Sequence, residues 1–205
     1  MRIYHELNMK PLHLISVAIT ALLIGCYQSE EPVTTKTATI VNPPIPLAEL
    51  SLVQHNGTAF DHTTLQGKWT LMFFGFTFCP DVCPTTLQLL ALSLQKIEQS
   101  GIENAQVVFV SVDPERDTPE RLEEYLAHFD EKFIGVTGEL TDIESFTQSI
   151  GVVFAHNSLD ESGFYAVDHT TVILMVNDKA ELGGISSAPH KWEDIADDFM
   201  TVRAQ

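Results

Sequence analysis

Apolar residues fall into two rhythms along this chain. From Trp69 to Phe76 they form a nearly continuous run, and Val107 to Val112 forms another. Such runs predict central strands covered on both faces. Between them Leu87, Leu90, Ala91, Leu94 and Ile97 recur at helical spacing, which predicts a helix over Pro84 to Gln99. Thr118-Pro119-Glu120-Arg121 predicts a helix start, with the hydroxyl as N-cap and proline first inside, running to about Phe129. Phe133 to Val136 reads as a third strand. Thr141 to Ile150 reads as a helix capped by Thr141, with Glu144 completing a capping box. Ser51 to Gln54 followed by Asn56-Gly57 predicts a short hairpin. Val152 to Ala155 and Gly163 to Val167 predict a second one. Thr171 to Val176 and Glu181 to Ile185 read as strands, and Trp192 to Val202 as a closing helix.

Strands alternating with helices predict an α/β layer fold, and the late strands without helices between them predict an antiparallel edge. A cysteine pair stands at the first strand-to-helix junction. This plan resembles thioredoxin-like domains, a three-layer sandwich with a central mixed sheet flanked by helices.

The N-terminus breaks the pattern. Leu14 to Gly25 is an apolar stretch too short to span a bilayer comfortably, preceded by Arg2 and Lys10. It ends in Leu23-Ile24-Gly25-Cys26, which resembles the lipobox of bacterial lipoproteins. There the signal is cut before the cysteine, which then carries lipid. An uncleaved anchor, or a secretory signal with an incidental Cys26, are the alternatives. Met9-Lys10 would also start such a signal well. Gln28 to Pro46 is rich in Thr, Pro and Glu. The expected organisation is a signal over 1–25, a flexible tether over 26–46 and one domain over 47–205. The domain would sit on the extracytoplasmic, periplasmic side of a bacterial membrane. Tyr27 is not the Asp read as an inner-membrane signal, which leaves inner against outer membrane open.

The 205 residues are 44% hydrophobic, with 12 Phe, enough for one cored domain. The net charge of −17 removes the electrostatic footprint of a nucleic-acid binder. Without residues 1–25 the chain carries 9 basic and 27 acidic residues, a net of −18. That charge suits cations or basic partners, or a solvated surface.

Beyond Cys26 the cysteines are Cys79 and Cys83, in Phe76-Thr77-Phe78-Cys79-Pro80-Asp81-Val82-Cys83-Pro84. Closing so short a loop stabilises little, which argues against a structural staple. At a helix start the dipole is expected to lower thiol pKa values. Thiolates attack disulfides and bind soft metals. Residues i and i+4 share a helical face, so the sulfurs can converge on one ion or reach disulfide geometry. Spacing leaves both open. The further signal is His169, in Asp168-His169-Thr170-Thr171. Redox-active thioredoxin-like proteins typically carry a proline there. Two thiolates and a neutral imidazole suit Cu(I), or Cu(II) with an added ligand.

Together with Val110-Ser111-Val112-Asp113-Pro114-Glu115-Arg116-Asp117-Thr118-Pro119, these motifs resemble the Sco/SenC family of copper-binding proteins over about Leu47 to Val202. The resemblance implies copper held by Cys79, Cys83 and His169. It implies a metallochaperone rather than an enzyme, delivering copper to the Cu-A site of cytochrome c oxidase or reducing its cysteines. Members are tethered outside the cytoplasmic membrane; the lipobox, in place of a plain transmembrane helix, is the departure. The alternative is an extracytoplasmic thiol-disulfide oxidoreductase served by a thiol reductant, with Cys79 as nucleophile and Cys83 as resolving thiol. A peroxidase ranks last, for want of a Thr-x-x-Cys arrangement. Asp81 reads as a thiolate-tuning or exposed helix-start carboxylate, and Asp113 and Asp117 as loop and cap residues. His55, His62, His128, His156 and His190 read as surface residues, His156 being the nearest to an extra ligand. The run Phe73-Phe74-Gly75-Phe76 reads as core, with Phe76 and Phe78 also shielding the site from water.

Overall fold

The computed structural model describes residues 33–161 and 163–205. The expected signal, Cys26 and the start of the expected tether lie outside the described residues. In chain order the elements are β1 (Ala38–Pro46), β2 (Leu52–Gln54), β3 (Ala59–Phe60), the single turn α1 (His62–Leu65), β4 (Trp69–Gly75) and α2 (Val82–Gln99). Then come β5 (Ala105–Ser111), α3 (Pro119–Leu126), β6 (Ile134–Thr137), α4 (Leu140–Ser149), β7 (Phe154–His156) and β8 (Val167–His169). The last are β9 (Ile173–Val176), β10 (Glu181–Ser186) and α5 (Trp192–Arg203).

The main sheet runs β1-β10-β9-β4-β5-β6-β2-β3. β4, β5 and β6 are parallel neighbours, and β9 pairs antiparallel with β4. This is the mixed sheet flanked by helices that the α/β pattern predicts. Thr70 to Gly75 is buried throughout, as a strand covered on both faces must be. Trp69 meets Phe199 of α5 edge-on at 5.8 Å, while Phe74 meets Phe146 of α4 at 6.0 Å. Odd and even strand positions point to opposite faces, so α5 and α4 cover opposite sides. α2 packs on α5. Its buried stripe is Cys83, Leu87, Leu90, Leu94 and Ile97. Because β9 starts beside the end of β4, the segment just before β9 arrives next to the start of α2.

Four expectations are corrected. The flexible tether does not reach Pro46: residues 38–46 form β1 and pair with β10. Three prolines concealed this strand, and an edge position tolerates them. Asp198 fastens its entry, accepting the N–H groups of Lys36, Thr37 and Ala38 at 2.6, 2.8 and 2.8 Å. α3 keeps its Thr118 cap and Pro119 start but ends at Leu126. α4 starts at Leu140 behind Glu139, with no side-chain cap, so the Thr141–Glu144 capping box does not form. The second hairpin pairs Phe154–His156 with Val167–His169 and forms a separate two-stranded sheet. Its register is shifted because Val152 is buried in the core, while Thr170 Oγ1 takes the Val153 N–H at 3.1 Å. Among the described residues no helix is long and apolar enough to cross a membrane.

Candidate metal centre

The loop from Phe76 to Asp81 leaves β4 and turns into α2. The first N–H groups of a helix have no partner inside it. Asp81, the N-cap, makes no side-chain cap bond. The sulfur of Cys79 takes that place, accepting the Cys83 N–H at 3.4 Å. Pro84 sits in the first helical turn, where its missing N–H costs nothing. Both cysteines are free thiols, Cys79 half-buried and Cys83 buried. Gly75 makes room for the Cys83 sulfur: a Cβ there would lie 2.7 Å from it and 2.9 Å from the Phe109 ring.

His169 ends β8, just ahead of β9. Its Nε2 stands 3.6 Å from the Cys83 sulfur. Its Nδ1 lies 3.2 Å from the Thr170 carbonyl. A carbonyl only accepts, so Nδ1 carries the proton and the Nε2 lone pair faces the sulfur. Phe73 and Phe76 contact the imidazole edge-to-face at 6.2 and 6.1 Å. Burial holds the His169 pKa below its ordinary value, which keeps the ring neutral.

Burial also drives the Cys83 thiol well above its ordinary range, with the neighbouring Cys79 adding to the rise. This reverses the expectation that the helix start lowers it: loss of hydration outweighs the dipole. The Cys83 proton therefore sits between a reluctant thiolate and a neutral imidazole acceptor, in the place a soft cation would take. Among the described residues no three His, Cys, Asp or Glu side chains already form a closed cage. The second sulfur, that of Cys79, lies at the same helix start, 3.4 Å from the Cys83 nitrogen. Two sulfurs and one nitrogen with a free lone pair are a fitting donor set for copper.

The buried carboxylates behind the loop do more than the loop and cap chemistry their sequence setting predicts. Asp117 accepts the Thr77 N–H at 3.0 Å, the Thr77 hydroxyl at 2.6 Å and the Ser111 hydroxyl at 2.6 Å. It pins the backbone two residues before Cys79. Burial raises its carboxyl pKa. Asp113 accepts from Arg116 Nε at 2.5 Å and from the Tyr165 hydroxyl at 2.7 Å. The Tyr165 phenol is pushed up to about 12, by burial first and then by that bond, so it remains a donor. Tyr125 has a buried hydroxyl with no hydrogen-bond partner, and burial raises its pKa. A tyrosine inside an amphipathic helix carries no sequence signal for this.

The remaining candidates separate. His156 Nε2 lies 3.8 Å from Asp113 and its ring packs on Tyr165, so it serves the carboxylate cluster rather than the sulfurs. His55 accepts the Gly135 N–H at 2.8 Å, and His190 Nε2 lies 2.8 Å from the Thr171 carbonyl, so both support backbone. Asp81 is exposed. Phe78 is 40% exposed beside Cys79, whereas Phe76 is core.

The SCO1/SenC family model matches residues 45–203. The SCO2-like protein of Rickettsia felis is 33% identical over 165 residues, 80% of each chain. The crystal structure of Arabidopsis thaliana ScoI with copper bound has a TM-score of 0.73 at 35% identity, covering 78% of this chain and 99% of that one. A SCO1/SenC family lipoprotein from Bacillus anthracis has a TM-score of 0.68 at 25% identity, covering 80% of this chain and 99% of that one.

Proposed function

The chain belongs to the SCO1/SenC family, and from that premise we propose that it is a copper chaperone of cytochrome c oxidase assembly, handing copper to the Cu-A site. The ligands are Cys79, Cys83 and His169. One observation carries the assignment: the Nε2 lone pair of His169 faces the Cys83 sulfur at 3.6 Å, beside the helix start that holds Cys79. A solved relative, ScoI of Arabidopsis thaliana, has copper bound.

Copper is the cargo. Cys83 gives up its proton as the ion arrives and Cys79 turns from the Cys83 N–H toward it. His169 stays neutral, held by its Nδ1 contact. Phe73 and Phe76 keep water from the imidazole. Half-exposed Cys79 is the sulfur an acceptor's thiolates reach first, so release proceeds by ligand exchange starting there.

The same exposure difference supports a second activity. Cys79 as thiolate attacks an acceptor disulfide and forms a mixed disulfide, and Cys83 then displaces the acceptor sulfur. The acceptor leaves as a dithiol and Cys79–Cys83 as a disulfide, which a thiol reductant restores. A disulfide cannot hold copper, so the redox state decides when the site can load.

His169→Ala separates the two. Copper affinity of the reduced protein should fall at least about a hundredfold, since even losing an outer-shell partner costs 10–100-fold. Disulfide reduction should be largely kept. Unchanged copper affinity would remove His169 from the ligand set.

Anchoring through lipid on Cys26, on the periplasmic side of a bacterial membrane, completes the reading. It rests on Leu23-Ile24-Gly25-Cys26 and on a relative described as a lipoprotein. Mass spectrometry of membrane-extracted protein should find a chain starting at a lipidated Cys26; an unmodified Cys26 would exclude the anchor.

A further inference from the structure

The hairpin that carries His169 is not part of the main sheet. β7 and β8 pair only with each other, through three residue pairs. A ribbon this short has little stability of its own, so side chains must seat it. Its partner, the cysteine loop, is likewise irregular backbone. The position of the imidazole relative to the sulfurs thus depends on what joins these two segments.

Arg116 joins them. On the hairpin side its guanidinium stacks 3.6 Å from the centre of the Tyr165 ring, and its Nη1 donates to the Tyr165 carbonyl at 3.0 Å. On the loop side it lies 4.8 Å from the centre of the Phe78 ring, the residue before Cys79. Arg121 meets the same ring at 4.8 Å, so Phe78 touches two guanidinium groups. The Phe164 and Phe76 rings complete the surround at 5.5 and 5.7 Å. Asp113 closes the circuit, taking Arg116 Nε on one oxygen and the Tyr165 hydroxyl on the other.

This arrangement is costly as plain adhesion. Arg116 is only 18% exposed, Asp113 is fully buried, and Arg116 Nη2 is buried without a hydrogen-bond partner. A buried ion pair with an unmet donor contributes little net stability, whereas the geometry it imposes is specific. The fork and the flat stacking face are both used, and lysine supplies neither.

We infer that Arg116 is a positioning residue that latches the His169 hairpin to the cysteine loop, bringing His169 Nε2 to the Cys83 sulfur. This rests on the copper reading for what the imidazole does there, but the latch itself is a property of the metal-free protein. With Arg116 present, the site offers two sulfurs and a nitrogen. Without it, the hairpin keeps only its core contacts through Val167 and His169, the imidazole loses its fixed place, and the sulfurs are left as a two-donor site.

The test compares wild type, Arg116→Lys and Tyr165→Leu, the last removing the stacking platform while leaving Arg116 and Asp113 paired. In the reduced metal-free proteins, amide exchange across residues 153–169 should be about tenfold faster in both variants, the effect of losing a stacked, hydrogen-bonded guanidinium. Exchange in β4 and β5 should not change. X-ray absorption after loading one equivalent of Cu(I) should keep the sulfur scattering and lose the nitrogen scattering in both variants. Tyr165→Phe keeps the ring but takes the hydroxyl donor from Asp113, so it should fall between wild type and Tyr165→Leu. Exchange and nitrogen scattering that match wild type in Arg116→Lys would overturn the latch, even if its melting temperature falls. If wild type takes up no copper, the chaperone reading fails, and the exchange measurement still decides the latch.

Discussion

The Cys83 sulfur stands 3.6 Å from His169 Nε2, although 86 residues separate them in the chain. The pairing places a protonated sulfur against a nitrogen lone pair. In that contact a soft cation and a proton compete for the same two atoms.

The competition sets the pH dependence of loading. Cys83 is held above its ordinary value by burial, so it enters as a thiol and must release a proton. Copper affinity should therefore fall about tenfold per unit of decreasing pH between pH 8 and 7 on account of this group alone. His169 is lowered from 6.5 and adds no proton competition above that value. Competition titrations with a Cu(I) chelator at several pH values would measure the slope. A flat profile would mean that Cys83 is not a ligand.

The same shifts act on the stability of the reduced, metal-free protein. Cys83 favours its neutral form when folded, so its contribution is full below 9.0 and is lost as pH rises above that. His169 also favours its neutral form, so its contribution is present above 6.5 and is lost as pH falls below it. Thermal unfolding should show declining stability on both sides. Cys83→Ala should flatten the alkaline decline and His169→Ala the acid one. An alkaline limb unchanged in Cys83→Ala would place its origin elsewhere.

Gly75→Ala probes the seat of the sulfur. The added Cβ would lie 2.7 Å from Cys83 Sγ and 2.9 Å from the Phe109 ring. Overpacking of this kind costs about 1–3 kcal/mol. Copper affinity should fall with it, because the sulfur must move. Gly101→Ala meets no atom within 4 Å and strains only a backbone at φ +84°, so it should lower stability without changing affinity. Equal affinities in the two variants would show that the seat does not matter.

Much of this was legible because its signals are local. The apolar runs mark β4 and β5, the helical stripe marks α2, and Thr118-Pro119 marks α3. The cysteine pair stands out by spacing, and His169 acquires meaning only beside it. What was hidden depends on distant partners. β1 is held by β10 and by Asp198, from the far end of the chain, and its prolines mimic a tether. The burial that reverses the Cys83 pKa comes from its seat in the core beside Gly75, which no spacing reveals. Asp113 and Asp117 have the ordinary look of loop carboxylates, yet both are fully buried.

Asp117 supplies a further test. Asp117→Ala would leave the Thr77 N–H and the Thr77 and Ser111 hydroxyls without their acceptor, at a cost of about 3 kcal/mol. Asp117→Asn keeps one acceptor oxygen and should cost less. Denaturant unfolding would rank the two, and the opposite order would show that the carboxylate does not brace the loop.

The measurement that bears most directly on the central claim is a Cu(I) titration of the reduced protein lacking residues 1–25, followed by X-ray absorption. The account predicts one copper per chain with sulfur and imidazole nitrogen in its first shell, the nitrogen disappearing in His169→Ala. Failure to bind, or a wild-type spectrum of sulfur alone, would contradict it.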